Sequence, residues 1–346
     1  MSEPNSIITL SVAELTDLCN RALNSVHASP QAVEAVTDAL MWCELHGIAS
    51  HGFNMLPTYL ERAKSGGIDS QAKPVISHQR GALLSMDGCG TFGQFIAHSA
   101  VEQAITLAKD HGAGIVSVFN GNHAGALGRF TQLLAEAGLI GFMAHNSNPV
   151  VAPFGGRKAA IGTNPLSFAF PGSKFPVLVD LATSATAKGK LYDLARTGDE
   201  IPAGLALNAD GEPTTSLAEA LKGILLPLGG PKGYSLAIAI EMLTGVLSGG
   251  ALGPDIPSFH KAPDKPQGVS MLVLAIDPVG LIPLDEFKAR AAQLEAKITS
   301  TPPADGFGTV QMPGEREALL AQTRLKEGIP VKRSIIDEIN QHLSAK

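Results

Sequence analysis

Gly88-Cys89-Gly90-Thr91-Phe92-Gly93 matches GxGxxG and stands between a run that reads as a strand, Ala82 to Met86, and one that reads as a helix, Phe95 to Lys109. That is the setting of the turn that cradles a dinucleotide phosphate in a doubly wound parallel sheet. Such a turn works with an Asp or Glu at the end of the following strand, which holds a ribose hydroxyl. Here the following strand-like run, Gly114 to Phe119, ends at Asn120, and Asp110 comes before it. The hexapeptide is therefore read as a tight turn between strand and helix, not as a cofactor site.

Working outward, Ser11 and Glu14 have capping-box spacing and open a helix to about Asn24. Ser29 and Pro30 open a second, with Val33, Val36, Leu40 and Cys43 along one face until Gly47, and Leu56 to Lys64 forms a third, closed by Gly66 and Gly67. Beyond Gly93, strand-like runs at Ile140 to Ala144, Ser167 to Phe170, Val177 to Leu181 and Leu272 to Ile276 surround a short helix, Phe130 to Ala137. Tyr234 to Leu247 is apolar, interrupted by Glu241 and too short to span a bilayer, so it is read as a buried helix. Helical periodicity returns with Phe287, Leu294 and Ile298, then Glu315 to Lys326, then Ser334 to Leu343. The expected layout is a helical part with an active-site loop at 1–75, a sheet-rich cofactor and substrate region at 76–280, and a helical part at 281–346 that packs back on the first.

The totals narrow the function. In 346 residues, 45% are hydrophobic and 17% charged, with 37 Gly and 23 Pro, which suits a tightly turned globular fold of two or three domains. A formal charge of −6 leaves no basic surface for a phosphate backbone, so a small molecule is a better partner than a nucleic acid. Cys19, Cys43 and Cys89 are odd in number and outside any CxxC, which fits a reducing cytoplasm and suggests neither a disulfide framework nor a zinc site. Met1 to Ile8 has neither a basic start nor an apolar run, so no signal peptide is expected.

Ser50-His51 follows the end of the second helix and falls on a loop, where a histidine can protonate a carbonyl oxygen as hydride reaches the carbon while Ser50 orients the ring. A solvated or turn-capping histidine has the same local sequence. His46, Glu44 and Cys43 lie close by, but the spacing is not that of a metal motif, and no metal is expected. Asn122-His123 sits among Gly121, Gly125 and Gly128, which let backbone approach a ligand. Pro153-Phe154-Gly155-Gly156 and Gly162-Thr163-Asn164-Pro165 gather turn formers and polar donors. Pro227 to Gly233, with Gly229, Gly230 and Lys232 directly before a helix, offers an anion site at a helix N-terminus; an ordinary loop-to-helix joint has the same composition.

Taken in order and spacing, these segments resemble the malate/L-lactate dehydrogenase family that is unrelated to the Rossmann-type lactate and malate dehydrogenases. The carrying stretches are Gly47 to Gly52, Asn122 to Gly125, Val151 to Gly156, Gly162 to Pro165, Asp180 to Ser184, Gly189-Lys190, Pro227 to Gly233 and Pro313 to Arg316, which together span nearly the whole chain. The resemblance implies a mixed α/β (α+β) fold in which a mostly antiparallel, non-Rossmann sheet holds NAD or NADP, beside a helical domain built from both chain ends. It also implies a homodimer with its active site near the subunit boundary. His51 would be the proton donor, Ser50 its relay partner, and His123 would lie beside the nicotinamide. Thr163 would contact substrate. Asn122, His123, Ala124, Gly125, Asp180, Thr183, Ser184, Lys232, Gly233, Pro313, Gly314, Glu315 and Arg316 would line the cofactor.

One position departs from the pattern. Where the family typically has an arginine that grips the substrate carboxylate, four residues after the histidine, this chain has Met55. Losing a bidentate partner in a partly dry site costs roughly 2 to 5 kcal/mol unless another cation serves, and Arg157, His145 and Lys190 are the candidates. Relatives that reduce cyclic imino acids such as piperideine-2-carboxylate carry an Asp at the position of Lys190, so lysine favours an oxo or hydroxy substrate. The expected activity is interconversion of a small 2-oxo acid and 2-hydroxy acid. The rivals are an imino-acid reductase of the same fold and a dinucleotide-binding protein that has lost its substrate.

Overall fold

The computed structural model describes residues 6–187, 190–191 and 200–344. Its centre is a seven-stranded sheet in the order β2-β3-β4-β11-β5-β6-β7. The strands are β2 (Val75–Arg80), β3 (Leu83–Asp87), β4 (Ala113–Gly121), β5 (Ile140–His145), β6 (Leu166–Phe170), β7 (Val177–Leu181) and β11 (Val269–Ile276). Every neighbouring pair is antiparallel except β3 and β4. β11 arrives from far along the chain and fills the gap between β4 and β5, pairing Val273 with both Val116 and Met143. This is a mixed, mostly antiparallel sheet, as the family resemblance implies.

The one parallel pair is joined by α4 (Gly93–His111), so the glycine hexapeptide does sit at a strand-to-helix turn of a β-α-β unit. The turn is filled by protein. The Asn122 amide donates to the Gly90 and Thr91 carbonyls at 2.7 and 3.0 Å, and a Cβ added to Gly93 would collide with the Asn122 and His123 carbonyls. The third glycine serves close packing of α4 on the segment after β4. With α5 (Gly128–Glu136), α4 covers one sheet face through an apolar layer that includes Ile96, Val101, Phe130, Leu134 and Val273.

A second body comes from the chain's two ends. α1 (Val12–Ser25) opens with the capping box foreseen at Ser11 and Glu14, and α2 (Pro30–Leu45) with Ser29 as cap and Pro30 in its first turn. α3 (Leu56–Ser65) stops at Gly66 in the left-handed region, where glycine carries no Cβ penalty. These helices share a core with Ile329, Val331 and Ile339 of β12 (Ile329–Lys332) and α10 (Arg333–Ser344). β12 in turn pairs antiparallel with β1 (Ile7–Leu10). α8 (Leu284–Thr299), by contrast, has no buried residue, so the C-terminal helices do not behave alike.

A third, smaller core includes Val151, Ile161, Leu191, Ile201, Leu217 and Leu225, around the short strands β8 (Ala206–Leu207), β9 (Pro213–Thr214) and β10 (Ile224–Leu225) and the helix α6 (Leu217–Lys222). α7 (Pro231–Glu241) begins beside it and continues through a π-helical turn at Met242–Val246. The burial expected for Tyr234 to Leu247 is corrected here: Met242 is 55% exposed and Leu247 58%, with Leu236, Leu243 and Val246 also open. The helix is apolar on more sides than one chain covers. None of the helices among the described residues is long and apolar enough to cross a membrane.

Candidate active site

His51 rides on a single 3-10 turn, Ala49–His51, that follows α2, and its ring is half-buried. Ser50 Oγ lies 3.0 Å from His51 Nδ1, so the hydroxyl orients the ring and leaves Nε2 for chemistry. Loss of hydration in this setting lowers the His51 pKa below its ordinary value. The ring is then neutral at neutral pH, set to take a proton from a hydroxyl and to return one to a carbonyl.

His123 stacks against it, with centroids 5.7 Å apart and planes 21° from parallel. It comes from the sheet region, just after β4. Its backbone N–H donates to Gln267 Oε1 at 3.0 Å, Phe259 packs at 4.9 Å, and the Tyr59 hydroxyl is 2.8 Å from Nδ1. Burial holds the Tyr59 phenol protonated. A phenol that donates to Nδ1 fixes the imidazole's own proton on Nε2, giving a hydrogen-bond donor beside His51. Burial, then the charges of His51, His145, His260 and Arg62, push the His123 pKa well down, so this ring stays neutral.

Sequence reasoning passed over Tyr59, Phe259, Gln267 and Arg62. Tyr59 lies eight residues after His51 on a helix read only for its extent and its closing glycines. Arg62 is fully buried and donates to the carbonyls of Phe259, Ala262 and Lys265 at 2.9, 2.9 and 2.7 Å, which fixes the strap that carries Phe259. Glu61 and Lys64 stand on the same helix, so no local sign in the sequence marks Arg62 as the buried one; its partners are about 200 positions away.

The other predicted residues fall into two further groups. Thr183, nearly fully buried, donates through N–H and Oγ1 to the Thr163 carbonyl at 2.9 and 2.8 Å, while Leu228 donates back to the Thr183 carbonyl. The Thr163, Thr183-Ser184 and Pro227–Gly233 segments are thus one cluster. Ser147 Oγ meets Thr163 Oγ1 at 3.3 Å, and Glu241 holds Asn164 at 2.8 Å. His145, at the end of β5, joins this cluster to His123: its N–H donates to the Pro165 carbonyl, and protonating its ring would disfavour protonation of His123.

The third group gathers at the end of β7. Asp180 Oδ2 accepts from the Gly128 N–H at 2.7 Å, which caps α5. The Pro313 carbonyl accepts from Leu178 at 3.1 Å, and Gly314, with φ +85°, packs tightly on Leu178, so Pro313–Arg316 runs beside Asp180. α9 (Glu315–Glu327) starts from that segment. Ala124 is buried and Gly125 has φ +85° in the run between His123 and α5.

Among the expected carboxylate partners, Arg157 is turned away. It is exposed and paired with Glu212 and the Asp210 carbonyl. Lys190 is exposed, and Gly189 lies outside the described residues. Met55 is half-buried and packs against the helical core. His145 alone of the three candidates is tied to the His51–His123 pair, and burial lowers its pKa.

Residues 10–340 match the family model described as malate/L-lactate dehydrogenase. The chain belongs to the malate/L-lactate dehydrogenase family. Among its relatives, L-sulfolactate dehydrogenase of Methanothermobacter thermautotrophicus is 34% identical over 95% of each chain. Malate dehydrogenase of Pyrococcus abyssi is 36% identical over 95% of this chain and 92% of that one. Among solved structures, sulfolactate dehydrogenase from Methanocaldococcus jannaschii superposes with a TM-score of 0.91 at 32% identity, covering 97% of both chains. The Δ1-piperideine-2-carboxylate reductase from Pseudomonas syringae superposes at 0.85 with 30% identity, over 97% of this chain and 99% of that one. Membership implies a nicotinamide dinucleotide; toward its phosphates the α7 N-terminus offers Lys232 in the first turn and open space at Gly229, where a Cβ would meet nothing within 4 Å, while the Gly233 N–H is already given to the Leu228 carbonyl.

Proposed function

We propose that this chain is an NAD(P)-dependent dehydrogenase that interconverts a small 2-hydroxy acid and its 2-oxo acid, as the names of its relatives suggest. The observation that carries this reading is the Ser50–His51 hydrogen bond of 3.0 Å with His123 stacked 5.7 Å away. His51 Nε2 takes the hydroxyl proton on oxidation and returns it on reduction, Ser50 holds the ring, and Nε2–H of His123 donates to the same oxygen. The bound nicotinamide accepts or supplies the hydride. Lys232, Gly233 and the uncapped α7 N-terminus hold the phosphates, with Asn122 to Gly125, Asp180, Thr183, Ser184 and Pro313 to Arg316 along the remainder, while Thr163 meets substrate. In place of the missing arginine at Met55, His145 offers substrate a neutral ring, a hydrogen-bond partner and not a charge, because burial lowers its pKa.

The layout foreseen as 1–75, 76–280 and 281–346 is kept as a proposal, with α8 placed outside the helical body. The apolar face at Leu236, Met242, Leu243, Val246 and Leu247 supports a homodimer, and three unpaired cysteines support a reducing cytoplasm. Light scattering of Val246→Glu should read a monomer if that face is the interface; an unchanged dimer would move the interface elsewhere.

The test is absorbance at the nicotinamide band with NADH and NADPH separately, against a panel of 2-oxo acids with and without methylamine, and against cyclic imines. Turnover of an oxo acid alone supports the reading. Amine-dependent turnover, or a faster cyclic imine, would replace it with imine reduction, and silence throughout would leave a binding protein. His51→Ala should lower turnover by roughly 100-fold with cofactor affinity unchanged. Because burial lowers the His51 pKa, hydroxy-acid oxidation, which needs the neutral ring, should rise with pH through a value below 6.5 and be level by neutrality. Oxo-acid reduction should fall over the same window. A midpoint above 6.5 for both would assign the ionisation to another group.

A further inference from the structure

The loop that carries His51 leans on a buried carboxyl. Glu44 lies in the last turn of α2 and is 3% exposed. Its Oε1 accepts the Phe53 N–H at 2.8 Å, and any side chain on Gly52 would collide with that carboxyl. It therefore grips the two residues that directly follow His51. Resting on the reading of His51 as the proton-transfer group, we propose that Glu44 is a positioning residue whose carboxylate sets the place of His51 by anchoring the Gly52-Phe53 turn.

The second side of the grip is α9. Arg324 donates to the Glu44 backbone carbonyl, and the neighbouring Leu320 packs against Gly47 at the start of the loop. α9 begins at Pro313–Arg316, so one rigid helix runs from the segment assigned to the cofactor to the base of the His51 loop. A stable core needs no carboxyl here. Burying one without a direct ion pair is costly, and burial pushes Glu44 up to about 7 against the opposing pulls of the Phe53 N–H and Arg324. Arg324 on α9 is the charged side chain that acts on it, and the adjacent Cys43 thiol on α2 is held neutral by burial.

This gives a signature that packing alone does not. A charged acceptor holds an N–H about twice as strongly as a neutral one, so the grip tightens as Glu44 ionises. The stability linkage runs the other way: a carboxyl raised above its unfolded value adds stability below the unfolded pKa, and that contribution is lost as pH rises through about 7. Glu44→Gln keeps the shape and a neutral acceptor. Its turnover relative to wild type should be near unity at pH 6 and fall about 10-fold by pH 8.5, because small displacements of a catalytic group cost rate steeply. The KM for the dinucleotide should not change, and the mutant should melt higher than wild type at pH 8.5. The titration of His51 is common to both proteins and cancels in the ratio.

Glu44→Ala should be slow at every pH. Hydrogen exchange of the peptide spanning residues 46–55, followed without substrate, should be faster in Glu44→Ala than in wild type. A ratio that is flat with pH, or a Glu44→Gln protein that melts lower at pH 8.5, would overturn the proposal, as would unchanged exchange. If wild type turns over none of the oxo acids or imines, the reading of His51 fails, and the exchange measurement still decides whether Glu44 holds the loop.

Discussion

Two glycine-rich turns of this chain look alike on paper, and the proposed function gives them opposite tasks. Gly88 to Gly93 and Pro227 to Gly233 each lead into a helix. The first is closed by its own protein, with the Asn122 amide across its carbonyls and α4 pressed on the backbone after β4. The second has Lys232 in the first turn of its helix and free space at Gly229, although its last glycine, Gly233, is packed as closely on the Leu228 and Thr183 backbone as Gly93 is on its own neighbours. A glycine pattern states that something comes close to the backbone. Whether that is a ligand or the chain itself depends on what the sheet brings opposite.

The contrast can be broken by substitution. Gly93→Ala forces a methyl into the Asn122 and His123 carbonyls and should cost about 3 kcal/mol, read as a lower melting temperature with cofactor affinity lost only as far as folding is lost. Lys232→Met should weaken dinucleotide binding about 10-fold, near 1.4 kcal/mol, with the melting temperature unchanged, as read by nicotinamide fluorescence. Should Lys232→Met leave the affinity intact, the open turn is not the phosphate site. The smallest effect is expected at Gly90, where a Cβ meets nothing but φ is +65°; Gly90→Ala should cost about 1 kcal/mol of strain and nothing in binding. A tenfold loss of cofactor affinity there would restore the hexapeptide as a dinucleotide turn.

Much of this was legible because the signals are local. Ser11, Ser29 and Pro30 mark helix starts through groups one turn away, and the missing acid after Gly114 to Phe119 was enough to refuse the hexapeptide a cofactor role. β1, β2 and β12 were not foreseen. β2 is exposed throughout and shows no alternation, while β1 and β12 are four residues each and find partners only across the length of the chain. In the site, Ser50 and His51 are neighbours in sequence and could be read together. Tyr59, Arg62 and Phe259 act on His123 through contacts between distant segments, and the local sequence of a helix does not reveal which of its residues will meet that ring. The exposure of Met242 and Leu247 escaped for a related reason: an apolar helix announces that it needs covering, not which molecule covers it.

The pairing of β1 with β12 orders events in time. Ile7 to Leu10 leaves the ribosome before its partner Ile329 to Lys332, which follows more than 300 residues later, roughly half a minute at ordinary elongation rates. Throughout that interval the helices that flank the His51 loop lack Ile329, Val331 and Ile339 from their shared core. The sheet region, whose last strand ends at Ile276, can be complete earlier. A nascent chain can therefore own a finished sheet while its His51 loop is still unanchored, so truncation before β12 should silence the enzyme without unfolding its centre.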